Sequence, residues 1–287
     1  MAVKFFGQFL VEKGLISREQ LLAALDLQKA TNLKFGEMAL KMGLLTEDQI
    51  IRVHNAQHSD DQRFGDIAVR IGLLTEAQAQ EVLGRQQDTY IYLGAALVAV
   101  GALTDTALAS HLEAFKLDQE PYVVETVAIP AGVPHPEVWE AAADLTYKML
   151  TRLANLPYRK EQCSIVTQVQ PNDIIARMEL SGTLRATYLF SASSGVRAAI
   201  ARTMLREEVD NSPEELLDDA VMEFVNVVCG NLAAKVAQFG QKIQLTPPEA
   251  IHPGSEPLPV PLGRTGLQFP IHVVNGEEVA LVLFVEA

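Results

Sequence analysis

Four residues in one stretch of this chain have the types and spacing to act together: Asp219, Glu223, Asn226 and Gly230. Intervals of four, three and four residues bring them within about 60° of arc on an α-helix, at roughly 100° per residue. Leu217, Ala220, Val221, Phe224, Val225 and Val228 fall on the opposite side, so the stripe is expected to face outward. Glu223 offers a carboxylate, and Asn226 an amide that accepts through its oxygen and donates through its nitrogen. Asn231, although adjacent to Gly230, projects toward the apolar side and is expected to pack. Acidic and amide side chains on an exposed helix are by default plain solvated surface, so what the stripe means depends on the elements around it.

The helix that must carry it runs over PEELLDDAVMEFVNVVCGNLAAKVAQF, with Pro213 suited to its first turn. Upstream, the spacing of Val138, Trp139, Ala142, Leu145, Met149 and Leu153 after Pro136 predicts another helix. Strand-like runs follow at 164–169, 174–180 and 183–190, the last two joined by a turn at Ser181 and Gly182. A helix is expected over 194–206, then an acidic loop around Asn211. Beyond the stripe come a proline-rich loop, 247–261, and two alternating segments hinged on Asn275 and Gly276, as in a tight hairpin. This order predicts an α+β domain over 137–287, with helices packed on one face of a largely antiparallel sheet.

In that setting, DAVMEFVN resembles the signature helix of the CheC, CheX and FliY phosphatases: an acidic or Ser position, Glu four residues on, then Asn three after that. SGTLRATYLFSASSGVRAAIARTML is similar to the strand, turn and helix that precede the family's signature, and Pro247 and Pro248 stand near its downstream proline. The resemblance implies a phosphatase acting on the aspartyl phosphate of a phosphorylated receiver protein such as CheY. It implies that Glu223 pairs with the receiver's active-site lysine and that Asn226 holds a water in line with the phosphorus, with Asp219 and Gly230 in support. Phosphoryl transfer chiefly requires positioning and charge stabilisation. The resemblance accordingly implies no cofactor of this chain's own, the receiver supplying Mg²⁺. CheC-type members repeat the motif on their first helix, but here EAAADLTYKM holds Asp144 and Tyr147 and no Glu and Asn pair. One site per chain is the CheX pattern and carries with it a homodimer through the C-terminal domain, whose strand-rich tail would leave edges to cover.

The first 117 residues are organised differently. Gly7, Gly36, Gly65 and Gly94 recur every 29 residues, and Gly14, Gly43, Gly72 and Gly101 repeat the interval, which marks four internal repeats. Each repeat has a short apolar segment, a glycine stop, and then Ser17, Thr46, Thr75 or Thr104 where a helix N-cap belongs. Gln20, Gln49 and Gln78 complete capping boxes in the first three. The pattern predicts an all-α array of helix, turn, helix units, and a structural array explains the caps and glycines completely.

It leaves unexplained the opening triplets and the closing Gln28, Gln57 and Gln86. With these, residues 5 to 115 resemble the tandem motif of MshEN domains, the N-terminal modules of type II secretion and type IV pilus ATPases. That resemblance implies cyclic di-GMP bound through an Arg-Leu-Gly opening and the final Gln. The second and third repeats come nearest, with Lys34, Phe35 and Gly36, then Arg63, Phe64, Gly65 and Asp66, and with Gln57 and Gln86 closing them. Lys34 cannot stack and donate in parallel as a guanidinium does, and Phe5 and Tyr92 remove the cation from the outer repeats. A module that docks a motility, pilus or secretion component is the alternative.

With 48% hydrophobic residues among 287, the chain is long enough for two cores: 1–117 and 137–287, joined by a proline-rich linker, 118–136. A net charge of −13 and a pI near 4.9, with no basic block, argue against nucleic acid and anionic lipid as partners. The N-terminus mixes charges among its apolar residues, so no secretory signal is expected. The most lipid-like stretch, Tyr92 to Leu103, is well short of the roughly 20 residues of a spanning helix and reads as a buried helix. Cys163 and Cys229 lack paired spacing, as expected of small core residues in a reducing cytoplasm. His54 and His58 are four apart but without a third ligand, so no metal site is expected. The leading reading is a receiver phosphatase with a regulatory or docking module. The competing one is a non-catalytic dimeric adaptor.

Overall fold

The structure, a computed structural model, describes residues 3–57, 62–205, 209, 212–254, 256–273 and 277–286. Lys4–Pro121 and Tyr122–Ala287 form two compact units.

In the first unit each repeat is a short helix and a longer one: α1 (Phe6–Glu12) with α2 (Arg18–Thr31), α3 (Phe35–Lys41) with α4 (Glu47–Gln57), α5 (Phe64–Arg70) with α6 (Glu76–Thr89), and α7 (Leu93–Ala99) with α8 (Asp105–Gln119). The second glycines end the short helices at φ between 66° and 73°, where a side chain would be strained. Ser17, Thr46 and Thr75 accept from the backbone N–H of the Gln three residues on, and that Gln accepts in return from the cap's N–H. The caps and stops therefore form as the spacing predicts. The stretch Tyr92 to Leu103 is shorter as a helix than expected, because Val100 to Leu103 turn back into the next cap.

The repeats do not stack in sequence order. The second and third share one core, around Met38, Val53, Ile67 and Val82. The first and fourth share another, around Phe9, Leu10, Ala96 and Leu97. Helix α3 packs on α6 and α4 on α5, and the same exchange sets α1 on α8 and α2 on α7. The expected array is thus a pair nested within a pair. One repeat cannot bury its apolar faces alone, and exchanging long for short helices covers both faces of both repeats.

The second unit comprises α9 (Pro136–Arg152), β1 (Tyr158–Lys160), β2 (Ser164–Val166), β3 (Gln168–Val169), β4 (Ile174–Gly182), β5 (Ala186–Ala192), α10 (Ser194–Leu205), α11 (Glu214–Ala237), β6 (Ile243–Leu245), β7 (Glu249–Ile251), β8 (Leu258–Pro259), β9 (Arg264–Val273) and β10 (Glu278–Glu286). The sheet runs β1-β9-β10-β5-β4-β6, with β2 also on β9 and β7 also on β4, and its pairs are antiparallel. Alternate residues of β4 (Ile174, Ala176, Met178, Leu180) join the helices in the main core, which takes in Trp139, Phe224 and Phe269. Each such large side chain, fully buried, contributes about 1.5–3 kcal/mol.

Several expectations shift. The 164–169 run is two strands, because Gln168 and Val169 leave the main sheet to pair with Pro259 and Leu258. Ser181 and Gly182 are not a turn: β4 continues through them, pairing with Gln244 and Ile243. The glycine serves a close approach there, since a Cβ would lie 2.4 Å from the Lys242 carbonyl oxygen. Residues 122–135, expected as linker, lie on the C-terminal unit, with Val127 and Val133 buried in its core. The long strands expected to leave free edges are flanked, β9 by β1 and β2 and β4 by β6 and β7. Asn211 and the Asn275–Gly276 hinge lie outside the described residues, although β9 and β10 pair antiparallel on either side of that hinge.

Candidate active site on helix α11

Among the described residues, α11 is the one helix long and apolar enough to cross a membrane, yet more than half of it is buried inside the protein. It packs against both α9 and α10 and lies over β4, β6 and β7. Its buried side holds Ala220, Val221, Phe224, Val225, Val228 and Leu232. Glu214 and Glu215 occupy the first turn and Lys235 the last, which suits the helix dipole. Pro213 sits at the N-cap, one position before the expected first turn.

The stripe emerges as the spacing predicts. Asp219, Glu223, Asn226 and Gly230 are all exposed, and Asn226 Nδ2 donates to Glu223 Oε2 at 3.2 Å. A Cβ at Gly230 would meet nothing within 4 Å, so the stripe's far end is open to an approaching surface. Asn231 is buried and donates to the Val227 carbonyl at 2.9 Å, a packing role as expected. With its amide nitrogen on Glu223, exposed Asn226 keeps its amide oxygen as an acceptor able to hold a water.

Beside the stripe lies a charge cluster that the sequence reading missed. Arg197 of α10, its side chain only 8% exposed, pairs with Glu214 and with Asp218 Oδ1 at 2.8 Å. The latter contact is ionic and lacks hydrogen-bond alignment. Arg197 Nη2 also donates to the Glu214 carbonyl at 2.8 Å, and His252 Nε2 lies 2.7 Å from Asp218 Oδ2. A buried guanidinium with two carboxylates ties α10 and the segment after β7 to the first turns of α11, just below Asp219. The one available signal was the doublet Asp218–Asp219, of which only one member can lie in the stripe.

No thiol competes for the chemistry. Burial pushes the Cys163 thiol up to about 12 and raises Cys229 further, so neither is a thiolate near neutral pH. No group of three His, Cys, Asp or Glu among the described residues is disposed to hold a metal ion. On α9, Asp144 pairs with Lys148 at 2.7 Å and Tyr147 is buried, so the first helix presents no second stripe.

In the first unit, the set proposed for a nucleotide is brought together by the pairing of the second and third repeats. Phe35 and Phe64 lie with ring centroids 5.7 Å apart, and each ring sits 3.1 Å from where the other repeat's glycine, Gly65 or Gly36, would carry a Cβ. Lys34, Arg63 and Asp66 are exposed, with Lys34 and Arg63 at the N-caps of α3 and α5. The closing glutamines hold backbone carbonyls. Gln57 Nε2 donates to the Gln62 carbonyl at 3.1 Å, Gln86 Nε2 to that of Leu33 at 2.9 Å, and Gln28 Nε2 to that of Ile91 at 3.1 Å. Each acceptor precedes the opening triplet of the partner repeat. In the fourth repeat Phe115 takes the position and packs on Phe6 and Phe9.

Residues 174–272 match the family model described as "Chemotaxis phosphatase CheX", a span that contains α11 whole. The "CheY-P phosphatase CheX" of Thermotoga maritima is 22% identical over 142 residues, covering 49% of this chain and 90% of that protein. A CheX crystal structure from Desulfovibrio desulfuricans is similar at 17% identity and a TM-score of 0.47, over 52% of this chain and 99% of that one. The CheX–CheY–BeF₃–Mg²⁺ complex from Borrelia burgdorferi is similar at 15% identity and a TM-score of 0.43, over 52% and 98%. On the match across β4 to β9, the C-terminal domain of this chain is CheX-like.

Proposed function

We propose that the C-terminal domain is a phosphatase of phosphorylated receiver domains and that Glu223 and Asn226 carry the reaction. The observation that carries this reading is the exposed stripe on α11, with Asn226 hydrogen-bonded to Glu223, inside a domain that matches the CheX family. The relative from Thermotoga maritima, named for CheY-P phosphatase activity, gives the substrate class. Asn226 accepts from a water and orients it toward the phosphorus, while Glu223 engages the receiver's lysine and holds the amide in place. Asp219 and the open backbone at Gly230 complete the docking strip. The receiver brings its own Mg²⁺, and this chain contributes positioning, which is most of what phosphoryl transfer requires.

The test is decay of phosphorylated receivers from the same genome, with and without this protein. Asn226→Ala is expected to lower the accelerated rate about 10²-fold, the scale for losing one positioned polar contact in a transition state, with receiver binding retained. Glu223→Ala is expected to weaken binding and rate together, because a charge pair also contributes to association. If wild-type protein accelerates no receiver, the dimeric adaptor becomes the better reading. The CheX resemblance also leads us to propose a homodimer through this domain, which sedimentation of the full chain measures.

For the N-terminal unit we propose cyclic di-GMP across the second and third repeats, with Arg63, Lys34 and Asp66 as the solvent-facing polar groups. Arg63→Ala should weaken binding at least tenfold by calorimetry, about 1.4 kcal/mol. No heat from the wild-type chain would favour docking of a motility, pilus or secretion component. The two cysteines, without paired spacing, lead us to propose the reducing cytoplasm as the protein's location.

A further inference from the structure

Strand alternation gives the sheet a second face, turned away from α9, α10 and α11, and the phosphatase reading uses none of it. Arg177 and Glu179 of β4, Thr187 of β5 and Arg264 of β9 stand together on that face. Glu179 Oε1 accepts from Arg177 Nε at 3.1 Å and Nη2 at 2.6 Å, and Thr187 Oγ1 donates to the carboxylate at 3.0 Å. Arg264 Nη1 donates to Thr187 Oγ1 and lies 3.6 Å from Glu179 Oε2. Desolvation alone would raise the Glu179 carboxyl, but the Arg177 and Thr187 hydrogen bonds and the two guanidinium charges hold it below the usual range.

Two guanidiniums thus share one carboxylate, with Glu286 only at the rim, 4.0 Å from Arg264 Nη2. Arg177 Nη1 and Arg264 Nη2 make no hydrogen bond among the described residues. The two guanidiniums meet as many carboxylates, Glu179 and Glu286, so the cluster carries no excess charge, but it has guanidinium donors to spare. The cluster lines part of an open cleft of about 540 Å³, within the roughly 300–1,000 Å³ of small-molecule sites. The remaining lining is apolar, with Leu189 beside Arg177 and Phe284 beside Thr187 in register, and with Ile251, Leu258 and Pro259. Its size fits a small molecule, with the arginines for an anion and the apolar lining for hydrocarbon.

We propose that this cleft binds a small amphipathic anion, a single carboxylate or phosphate group on an unbranched apolar body. The head group bonds Arg177 and Arg264, as guanidinium geometry favours, and the tail lies along Leu189, Leu258 and Phe284. The site stands apart from α11 and does not depend on the phosphatase reading.

Calorimetric titration of the full chain with octanoate and octyl phosphate tests it, with octanol and acetate as halves of the same ligand. One-to-one binding of at least one octyl anion is expected, the tighter of the two naming the head group, with octanol and acetate at least tenfold weaker. Arg177→Gln, at a half-exposed side chain, should weaken the anion at least tenfold, and Leu258→Trp, which fills the apolar part, should weaken it as well. The melting temperature of both variants checks that they fold. Octanol binding as tightly as octanoate, an unchanged affinity in Arg177→Gln, or no heat from either anion at millimolar concentration would overturn the proposal. So would a change in sedimentation of Arg177→Gln with unchanged anion binding, which would assign the face to a second copy of the chain.

Discussion

The exposed stripe of α11 and the paired repeats around Gln57 use the same chemical group, a primary amide on a helix, to opposite ends. Asn226 sits mid-helix, where the backbone around it is already hydrogen-bonded, so among the described residues its exposed side chain bonds only Glu223. Gln57 sits at a helix end and is buried, with its amide on the carbonyl of Gln62. Gln62, Leu33 and Ile91 lie just before the next N-cap, outside the helices, where a carbonyl has no helical partner. A polar side chain is available for chemistry when the backbone near it is satisfied by other means. Residue type and spacing do not report that; the neighbouring backbone does.

Four substitutions sharpen the contrast, from the largest effect on stability to the smallest. Phe224→Ala removes a fully buried ring beneath the stripe and should destabilise the C-terminal domain by about 3–5 kcal/mol, read as a lowered midpoint in urea. Gln57→Ala leaves the Gln62 carbonyl without its donor and should cost about 1–3 kcal/mol in the N-terminal unit; Gln86→Ala should behave alike, because its bond to Leu33 is the reciprocal one. Asn226→Ala should change stability by no more than about 0.5 kcal/mol, even though it is the variant expected to lose the phosphatase rate. If Asn226→Ala unfolds the domain as Gln57→Ala weakens the repeats, the stripe is structural and the contrast fails.

Much of both units was legible along the chain. The period of 29 and the hydroxyl-to-Gln spacing placed the N-terminal helices and their caps, because capping is settled by residues three apart. Helical phase put Asp219, Glu223, Asn226 and Gly230 outward and Asn231 inward, because a helix buried along one side leaves the other to polar residues. Strand ends were less legible. Ser181–Gly182 carries a turn's composition, but the glycine answers to the Lys242 carbonyl, which comes from a distant strand.

What local sequence determined about this protein is therefore what neighbours within a few residues decide: helices, caps, glycine stops, and the side of α11 that faces water. What only the tertiary structure decided depends on contacts between segments far apart in the chain. Which repeats pair, which carbonyls the closing glutamines satisfy, how Arg197 and His252 converge on Asp218, and how Arg177, Glu179, Thr187 and Arg264 meet across three strands all belong to that class. No periodicity encodes them, because each depends on which surfaces remain unburied once the local elements have formed.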